Sequence, residues 1–556
     1  MSLSEDSVKL LLAEQTHLKT ERFNRDNLLQ YVGNLVMPSN SDITETSQEG
    51  DDKSYDRYDD TAVLANNKRA SALKGILANP ETKWIEIHLK GQEVDPTSEL
   101  KEYLQKMTLK FIAILKNPRS KFYNSLDKIA LDDGSYGISA CFVQQSKKEL
   151  LNFRTFSYRD FVFSEDDEGN PNRIFVSFTM TLQQAVAKFG LKNLHSATQE
   201  KYKDHKNHFD KMEFIHCVVP RGNRTIAKAE KEKRHKRFAG YFLEKDNNHL
   251  VDESGYDAMP YVIFRGRVRS GEVYPDSPAI NSIATIRLLN YIKYLQEQGA
   301  EISALGSPLV ARNDAVMGTE EFDLSAGALN IVNVRAGTPL NAVVSPIYTQ
   351  RDIRPNNELI AESRTIIDEF FMVSAFEAMR KNNMSATEAV INNNRDIRNA
   401  SPTIARLFAG LTEVLELAMD ILIKKEITNH KLEKESIFGE LPEEIDFEQI
   451  DFVFKSPIAR AMREEGLQAL QILMQTIGML AQIDPSVALR VNADEGVKIV
   501  ADWLETPAQL LNDDEYVAEA KQAKAEQDAQ NQKMAMIQQG AEIAKTAGDA
   551  NKAFAE

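Results

Sequence analysis

Two predicted helices on either side of a compact insert, between Ser277 and Met372, constrain the fold of this chain more than any other feature. The first begins at a Ser-Pro pair, where Ser277 can cap the helix and Pro278 takes the first helical position without losing a needed hydrogen bond. The spacing of apolar residues predicts one helix over 277–306 and a second over 351–372. The first helix is marked by Ile280, Ala284, Leu288, Ile292 and Leu295, and the second by Leu359, Ile360, Ile366, Ile367, Phe370 and Phe371.

The insert at 307–350 has a different composition, rich in Gly, Pro, Asn and Val. Its short alternating runs, LNIVNV and NAVV, predict strands joined by turns. Because a helix rises ~1.5 Å per residue, helices of these lengths reach ~25–45 Å. The sequence therefore predicts a two-helix stalk that carries a small domain far from the main body. The strand-forming runs hold Val332, Val334, Val343 and Val344.

A two-helix stalk cannot bury an apolar stripe by itself, so we expect many copies of the chain to stand side by side and cover one another's stripes. The residues expected between neighbouring copies are Leu288, Ile292, Leu295, Ile366 and Phe370.

Composition excludes several classes of protein. The 556 residues are 42% hydrophobic and 27% charged, as in an ordinary globular protein with more than one domain or one elaborated domain. The net charge of −16 argues against a bulk nucleic-acid-binding protein. Cys141 and Cys217 stand alone in sequence, which excludes a cysteine zinc site or a disulfide framework and fits a reducing compartment. With no signal peptide pattern and no apolar run of ~18 residues, we expect a soluble, cytoplasmic protein that does not span a membrane.

The body before the stalk is predicted to be mixed. Helices are expected over 4–37, 61–77, 97–131 and 182–189. From Gly134 the apolar period approaches two, which predicts strands in the runs ISACFVQQ, LLNFRTFSYRDFVFSE, RIFVSFTM, FIHCVVP, RFAGYFLE and AMPYVIFR. The segment EDDEGNP at 165–171 has the composition of a hairpin turn.

Beyond the stalk, a long helix is predicted to begin at a capping box made by Ser385 and Glu388 and to bend near Pro402. A strand at 450–455 and further helices follow. The last 50 residues, rich in Ala, Gln, Glu and Lys, favour a modest helix bundle.

We find none of the motifs GxxxxGK[ST], GxGxxG, HExxH or GxSxG, and the nine histidines are scattered without metal-ligand pairing. The acidic cluster at 160–168 lacks EF-hand spacing and is interpreted as a solvated turn rather than a cation site. The basic run at 221–238 is interpreted as a charged loop, with a nucleic-acid contact as the alternative. No catalytic residue, metal or cofactor is predicted.

Three separated stretches resemble a known family. AMPYVIFRGRVRSGEVYPDSPAINSIATIRLLN is similar to the strand, turn and first stem helix of portal (head-to-tail connector) proteins from short-tailed phages, with Pro275 where that family usually has Gly. NMSATEAV at 383–390 resembles the opening of the family's long kinked helix. DDTAVLANNKRASALKGILANPETKWIEIHL resembles the family's element A-x-x-LA-x-x-L-x-x-x-LFP-x-x-x-WF-x-L, with Asn79-Pro80 in place of Phe-Pro and Ile85 after Trp84. In this order, the matches cover roughly residues 55–425.

The resemblance implies an α+β, mainly helical subunit of a portal-type ring, with a wing, a two-helix stem, a small α/β clip and a helical crown. The implied divisions are 1–276 (wing), 277–306 (first stem helix), 307–350 (clip), 351–372 (second stem helix), 373–384 (channel loop), 385–457 (long kinked helix and return strand), 458–507 (crown) and 508–556 (barrel helix or disordered tail).

The resemblance also implies a ring, of twelve copies in the family, around a channel for double-stranded DNA at one capsid vertex. Implied partners are the terminase large subunit, tail and adaptor proteins, and capsid and scaffolding proteins, in a virion assembled in the host cytoplasm. The four valines of the clip would then face terminase and tail. The alternative is another virion assembly protein, a capsid or tail component without a DNA channel. An enzyme such as a packaging motor or nuclease would need a P-loop or clustered acidic metal ligands.

The segment 373–384 is expected to be a loop near the channel axis, since helices pin both of its ends. Arg380, Lys381, Asn382 and Asn383 can reach DNA phosphates without reading bases. The alternative is a solvated surface connection with no role in DNA passage.

Overall fold

The computed structural model describes most of the chain up to residue 431 and shorter stretches beyond it. The described residues are 5–48, 50–54, 56–89, 98–146, 149–222, 235–305, 309–312, 330–333, 354–380, 386–431, 436–439, 450–454 and 470–480, with short pieces between 492 and 537. The chain divides into two compact units. The first comprises Met1–Glu86, Leu109–Glu440 and Asp451–Ile458, and the second Ile87–Thr108, Leu441–Ile450 and Ala459–Glu556.

The described helices follow the predicted order. They are α1 (Glu5–Glu21), α2 (Phe23–Val36), α3 (Thr61–Leu77), α4 (Ser98–Lys116), α5 (Phe122–Ser135), α6 (Leu182–Phe189), α7 (Ser196–Tyr202), α8 (Pro278–Leu305), α9 (Arg354–Phe370), α10 (Val373–Arg380) and α11 (Ala386–Lys431). The helix predicted over 61–77 is confirmed by α3. Ser277 caps α8 as predicted, because its Oγ accepts a hydrogen bond from the Ile280 amide at 3.0 Å.

The described strands are β1 (Ile85–Leu89), β2 (Ile138–Gln145), β3 (Leu151–Ser157), β4 (Phe161–Glu165), β5 (Pro171–Thr181), β6 (Lys211–Pro220), β7 (Phe238–Glu244), β8 (His249–Tyr256), β9 (Tyr261–Arg265), β10 (Leu309–Arg312), β11 (Asn330–Asn333) and β12 (Ile450–Phe454). Together with the helices they confirm a mixed helix-and-strand protein.

The first unit is built on two antiparallel sheets. One has five strands in the order β4-β5-β6-β7-β8, and the other has three in the order β3-β2-β9. The hairpin predicted at 165–171 joins β4 to β5, where the Asp166 amide donates to the Asn170 carbonyl at 2.9 Å and Gly169 adopts a φ of +81°. This prediction is confirmed.

Alternate residues of the five-stranded sheet face two different cores, as the period of two in a strand requires. Phe175 and Ile215 face a core that also contains Val8 and Leu11 of α1. Val176, on the opposite face, belongs to a second core, called the sheet–stalk core below.

The sheet–stalk core continues from the sheets into the stalk. Besides sheet residues, it contains Ile286 and Leu289 of α8 and Ile367 of α9, with Phe371 just after α9. Gly137 allows the close approach at this junction: its φ is +76°, and a Cβ there would lie 2.8 Å from the Asp276 carbonyl oxygen. The root of the helix pair is therefore part of the body.

Three expectations need correction. The helix expected over 4–37 is two helices, because buried Arg22 interrupts it and donates to the carbonyls of Tyr158 and Phe161, each at 2.8 Å. The strand β8 and the helix α7 were not predicted, since both are short and half polar. The expected loop at 373–384 is helical over Val373–Arg380, where Val373 and Phe376 are buried on one helical face.

Candidate functional site

The helix pair α8 and α9 brings together most of the residues expected at a subunit contact. In α8, Ile286, Leu289 and Ile292 follow one face and are buried in the sheet–stalk core. Farther along, Gln296 donates to the Asn357 side chain at 3.2 Å, so polar groups continue the pairing of the two helices where the apolar core ends.

A second apolar stripe on α8 faces solvent. Leu288 is 44% exposed and Leu295 is 47% exposed, and Tyr291 between them is exposed too. Positions 288, 291 and 295 recur at three- and four-residue spacing, so they share a face, and that face lies away from the one that holds 286 and 289. One helix therefore presents apolar residues on two sides, of which only one is covered within the subunit.

The residues expected at the subunit contact thus divide into two groups. Leu288, Leu295 and Phe370 are exposed, and Ile366 is half-buried. Ile292 is 7% exposed because it packs into the core of its own subunit.

An open groove lies on the side of α8 opposite to the exposed stripe, farther along the helix than Ile286 and Leu289. It has a volume of about 640 Å³ and is lined by segment 58–64, by Lys68 of α3, by the far part of α8 and by Arg364 and Asp368 of α9. Leu64 in this groove is exposed, whereas Arg364 is held by Asp59 at 2.7 Å. On α8, the groove residues 293, 296, 297 and 300 point roughly opposite to the exposed stripe at 288, 291 and 295.

Arg69 connects the root of the stalk to the segment that follows it. Its side chain is buried and donates to the Asp133 carboxylate at 2.6 Å and to the Phe371 carbonyl at 3.2 Å, just beyond α9. Its guanidinium also lies 4.8 Å from the centre of the Phe376 ring in α10. This one side chain thus links α3 to α5 and to the residues on both sides of the turn at Met372, where φ is +53°.

Sequence reasoning missed Arg69, although a signal was available. Arg69 occupies the same apolar register of α3 as Ala62, Ala65 and Ile76, all of which are buried. A cation at a core position of a helix requires a buried partner.

The residues expected at the DNA channel are placed only in part. Arg380 is the last residue of α10, and its side chain lies outside the described ones. Lys381, Asn382 and Asn383 also lie outside the described residues, as does the predicted cap Ser385. The chain is described again from Ala386, where α11 begins and passes through Pro402 without ending.

Of the clip valines, the structure places Val332 alone. It lies in β11, which pairs in parallel with β10, so that Val332 is opposite Ala311. Val334, Val343 and Val344 lie outside the described residues.

Three titratable side chains, Cys141, Cys217 and His216, lie buried inside the body. Burial raises the pKa of the Cys141 thiol to about 12 and also raises the pKa of Cys217. Burial, with a smaller effect of the Lys188 charge, lowers the pKa of His216 to about 3. Within the described part of the chain, no group of three or more His, Cys, Asp or Glu side chains is arranged to hold a metal ion. None of the described helices has the length and apolar character needed to cross a membrane.

Comparison with known proteins identifies the family. The model of the family described as "Bacteriophage head to tail connecting protein" matches residues 9–511. The chain belongs to this family. This membership confirms the resemblance drawn from the sequence and does not favour the alternative of a virion protein without a portal role.

Two relatives match over almost their whole length. The "Probable portal protein" of Bordetella phage BPP-1 is 22% identical over 549 residues, which cover 97% of this chain and 95% of the relative. The "Portal protein" of Salmonella phage epsilon15 is 21% identical over 554 residues, covering 98% and 96%. A solved chain from the "Virion of native gene transfer agent (GTA) particle" shares 11% identity over 69% of this chain and 91% of its own, but the TM-score of 0.29 is too low to inform the fold.

Proposed function

We propose that this connector acts as a portal protein: many copies form a ring at one capsid vertex, around a channel through which double-stranded DNA is packaged and later ejected. The family match and the two relatives named portal proteins support this role. The structural observation that supports the ring concerns α8. This helix has one apolar face buried inside its own subunit and a second apolar face exposed to solvent.

The placement of the two surfaces on α8 favours a ring over a two-fold dimer. A two-fold contact joins one patch to the same patch on the partner, whereas a head-to-tail contact joins two different patches. The exposed stripe at 288, 291 and 295 and the groove lined by 293, 296, 297 and 300 lie on opposite sides of α8. A stripe that enters the neighbour's groove leaves one free surface at each end of a pair, and repetition closes a ring. We expect the family's twelve copies, which native mass spectrometry would count.

The helices on either side of the proposed channel segment support its role. Helix α10 is anchored through buried Val373 and Phe376, and α11 begins at Ala386, so both ends of the segment between them are held by helices. Arg380, Lys381, Asn382 and Asn383 would contact phosphates weakly and without sequence preference. The acidic chain, with its net charge of −16, would not hold DNA tightly elsewhere, which suits a conduit through which DNA slides.

The clip at 307–350 would dock the terminase large subunit during packaging and tail or adaptor proteins afterwards, through strands that hold Val332, Val334, Val343 and Val344. The wing would meet capsid and scaffolding proteins. Deletion of 314–340 should abolish terminase binding in a pull-down while capsid attachment survives. Retained terminase binding would move the docking surface elsewhere.

A portal ring in this sense is structural and carries out no reaction of its own. The purified chain should hydrolyse no ATP and cut no DNA with any divalent metal. Turnover that follows the protein through two orthogonal columns would contradict this part of the proposal.

The ring is tested by exchanging Leu288 and Leu295 for Glu in one variant. Both side chains are exposed in the subunit, so the fold should survive, but two charges would enter the subunit contact and remain unpaired there. Mass photometry should show subunits or small, heterogeneous assemblies in place of a single large species. Ile292 is avoided, because its replacement would disrupt the core of the subunit.

The matched control exchanges Leu10 and Leu109 for Glu. These leucines are also exposed, but they lie on α1 and α4. The control should form rings of normal mass with the same circular dichroism spectrum. A stripe variant that still forms a uniform ring of unchanged mass would overturn the assignment of this contact.

A further inference from the structure

A short helix in the second unit has apolar side chains around more than half of its circumference, and most of them are exposed. Residues 470–480 are helical, with the sequence LQILMQTIGML. Nine of these eleven residues are exposed, and the other two, Leu470 and Ile477, are half-buried. Ile472 is 64% exposed and Met479 is 62% exposed.

The exposed apolar residues do not form a single stripe. At 100° per residue, Ile472, Leu473 and Met474 point in three different directions, and Met479 returns to the side of Ile472. Only Gln471, Gln475 and Gly478 share one side, so the apolar face is wider than half of the helix, and large exposed apolar patches mark interaction sites. This helix therefore needs partners on more than one side.

The charge pattern identifies the kind of partner. The sequence from 467 to 483, LQALQILMQTIGMLAQI, has no charged residue, although 27% of the whole chain is charged. Around a ring axis, identical helices bring like residues close together, so any charge would be repelled by its own copies. A neutral segment avoids this repulsion. Gln471 and Gln475, one helical turn apart, can still form neutral hydrogen bonds between copies.

We propose that the helix at 470–480 packs between the same helices of the two neighbouring subunits and forms a second set of ring contacts, separate from those of α8. The inference rests on the proposed ring, because a ring supplies each helix with one neighbour on either side. A two-fold dimer would cover one side and leave the other apolar side in water.

The test is a thiol-labelling experiment on the full-length chain with Ile472→Cys. Cys141 and Cys217 are buried, so the introduced thiol is the one a reagent reaches in the folded protein. In purified rings, Ile472→Cys should react more slowly than in dilute subunits by about tenfold or more, because labelling must wait for local opening. Phe209→Cys, at a strongly exposed residue of the first unit, is the control and should react at the same rate in both forms.

Each other result overturns the inference, and three of these results name another occupant. Fast labelling in intact rings means that the helix stays uncovered. Slow labelling in subunits already means that its own chain covers it. Fast labelling in rings but slow labelling in assembled particles assigns it to another virion component, and protection by phosphatidylcholine vesicles assigns it to a lipid surface. A chain that forms no ring contradicts the proposed function itself, which the mass measurement reveals before any labelling.

A second variant tests the contact energetically. Ile472→Gln with Met479→Gln replaces two exposed apolar side chains by neutral polar ones, so the subunit should fold as before. Its rings should dissociate at higher protein concentration than those of the unchanged chain, while Leu109→Gln with Phe209→Gln should not alter dissociation. Equal dissociation of all three would exclude a contact at this helix.

Discussion

At the scale of single residues, buried polar side chains hold the elements of the body together. Arg69 shows this most directly, since its guanidinium contacts the Asp133 carboxylate, the Phe371 carbonyl and the Phe376 ring. Removal of one partner of a buried ion pair leaves an uncompensated charge, which is far more costly than the loss of a pair in water.

Arg69→Met should therefore destabilise the protein by about 3–5 kcal/mol. Arg119→Met is the matched control, because Arg119 pairs with Glu149 at 2.8 Å on the surface, where solvent screens the pair, so its loss should cost far less than the loss of Arg69. Thermal unfolding of both variants at one pH measures the difference. Equal midpoints would show that the Arg69 contacts contribute little.

His216 makes stability depend on pH. It is stacked on Phe242, with ring centres 4.1 Å apart, and its Nδ1 lies 2.7 Å from the Tyr261 hydroxyl. Burial lowers its pKa from 6.5 to about 3. The unfolded chain thus binds one more proton than the folded chain between these values, so this contribution to stability is complete above pH 6.5 and is lost as the pH falls towards 3.

His216→Gln should flatten the dependence of unfolding free energy on pH between 6.5 and 5, where each unit is worth about 1.4 kcal/mol per fully linked proton. Asp132 has the opposite effect on the pH dependence, in the unchanged protein and in the His216 variant alike. Burial raises its pKa to about 8, so its contribution to the free energy of unfolding falls as the pH rises towards 8. Urea unfolding at several pH values, compared between the two proteins, isolates the histidine. Parallel curves would exclude it as the linked group.

At the scale of elements, α11 depends on a glycine where it crosses a strand. A Cβ at Gly410 would lie 2.8 Å from two atoms of the Phe264 ring, which is buried in β9. The helix can therefore approach the three-stranded sheet this closely only without a side chain at 410.

Gly410→Ala should lower stability by about 1–3 kcal/mol, as expected for overpacking. Gly299→Ala is the control: Gly299 is also in a helix, has nothing within 4 Å of its Cβ position, and should gain up to about 1 kcal/mol of helix propensity. Thermal unfolding should thus move the two variants in opposite directions. A stabilised Gly410→Ala would show that Phe264 moves aside at little cost.

At the scale of the whole molecule, the proposed channel predicts an effect of a cationic pair on DNA rather than on assembly. Arg380→Ala with Lys381→Ala should leave rings intact but reduce the length of DNA packaged or retained. The loss should be greatest at low salt, where the phosphate contacts of the unchanged protein are strongest. The control removes Lys201 and Lys203, two exposed lysines at α7. Particles that package and retain DNA normally at every salt concentration would leave the segment without a role in the channel.

The sequence by itself determined the features that depend on neighbours along the chain. The helix at 61–77, the hairpin turn at 165–171 and the Ser277 cap were predicted and are confirmed, because periodicity, turn chemistry and capping act within a few residues. The family was also readable, since its motifs are local strings in a fixed order.

Only the tertiary structure decided which side of each element is covered. Leu288 and Ile292 belong to one apolar pattern, but Ile292 packs into the core of its own subunit and Leu288 faces solvent. Arg22 and Arg69 are buried because carbonyls and an aspartate from distant segments of the chain surround them. Residues 373–380 are helical because Val373 and Phe376 are buried, with Phe376 beneath the Arg69 guanidinium. Burial is a property of contacts between residues far apart in sequence, and a periodic pattern states only that some contact is needed.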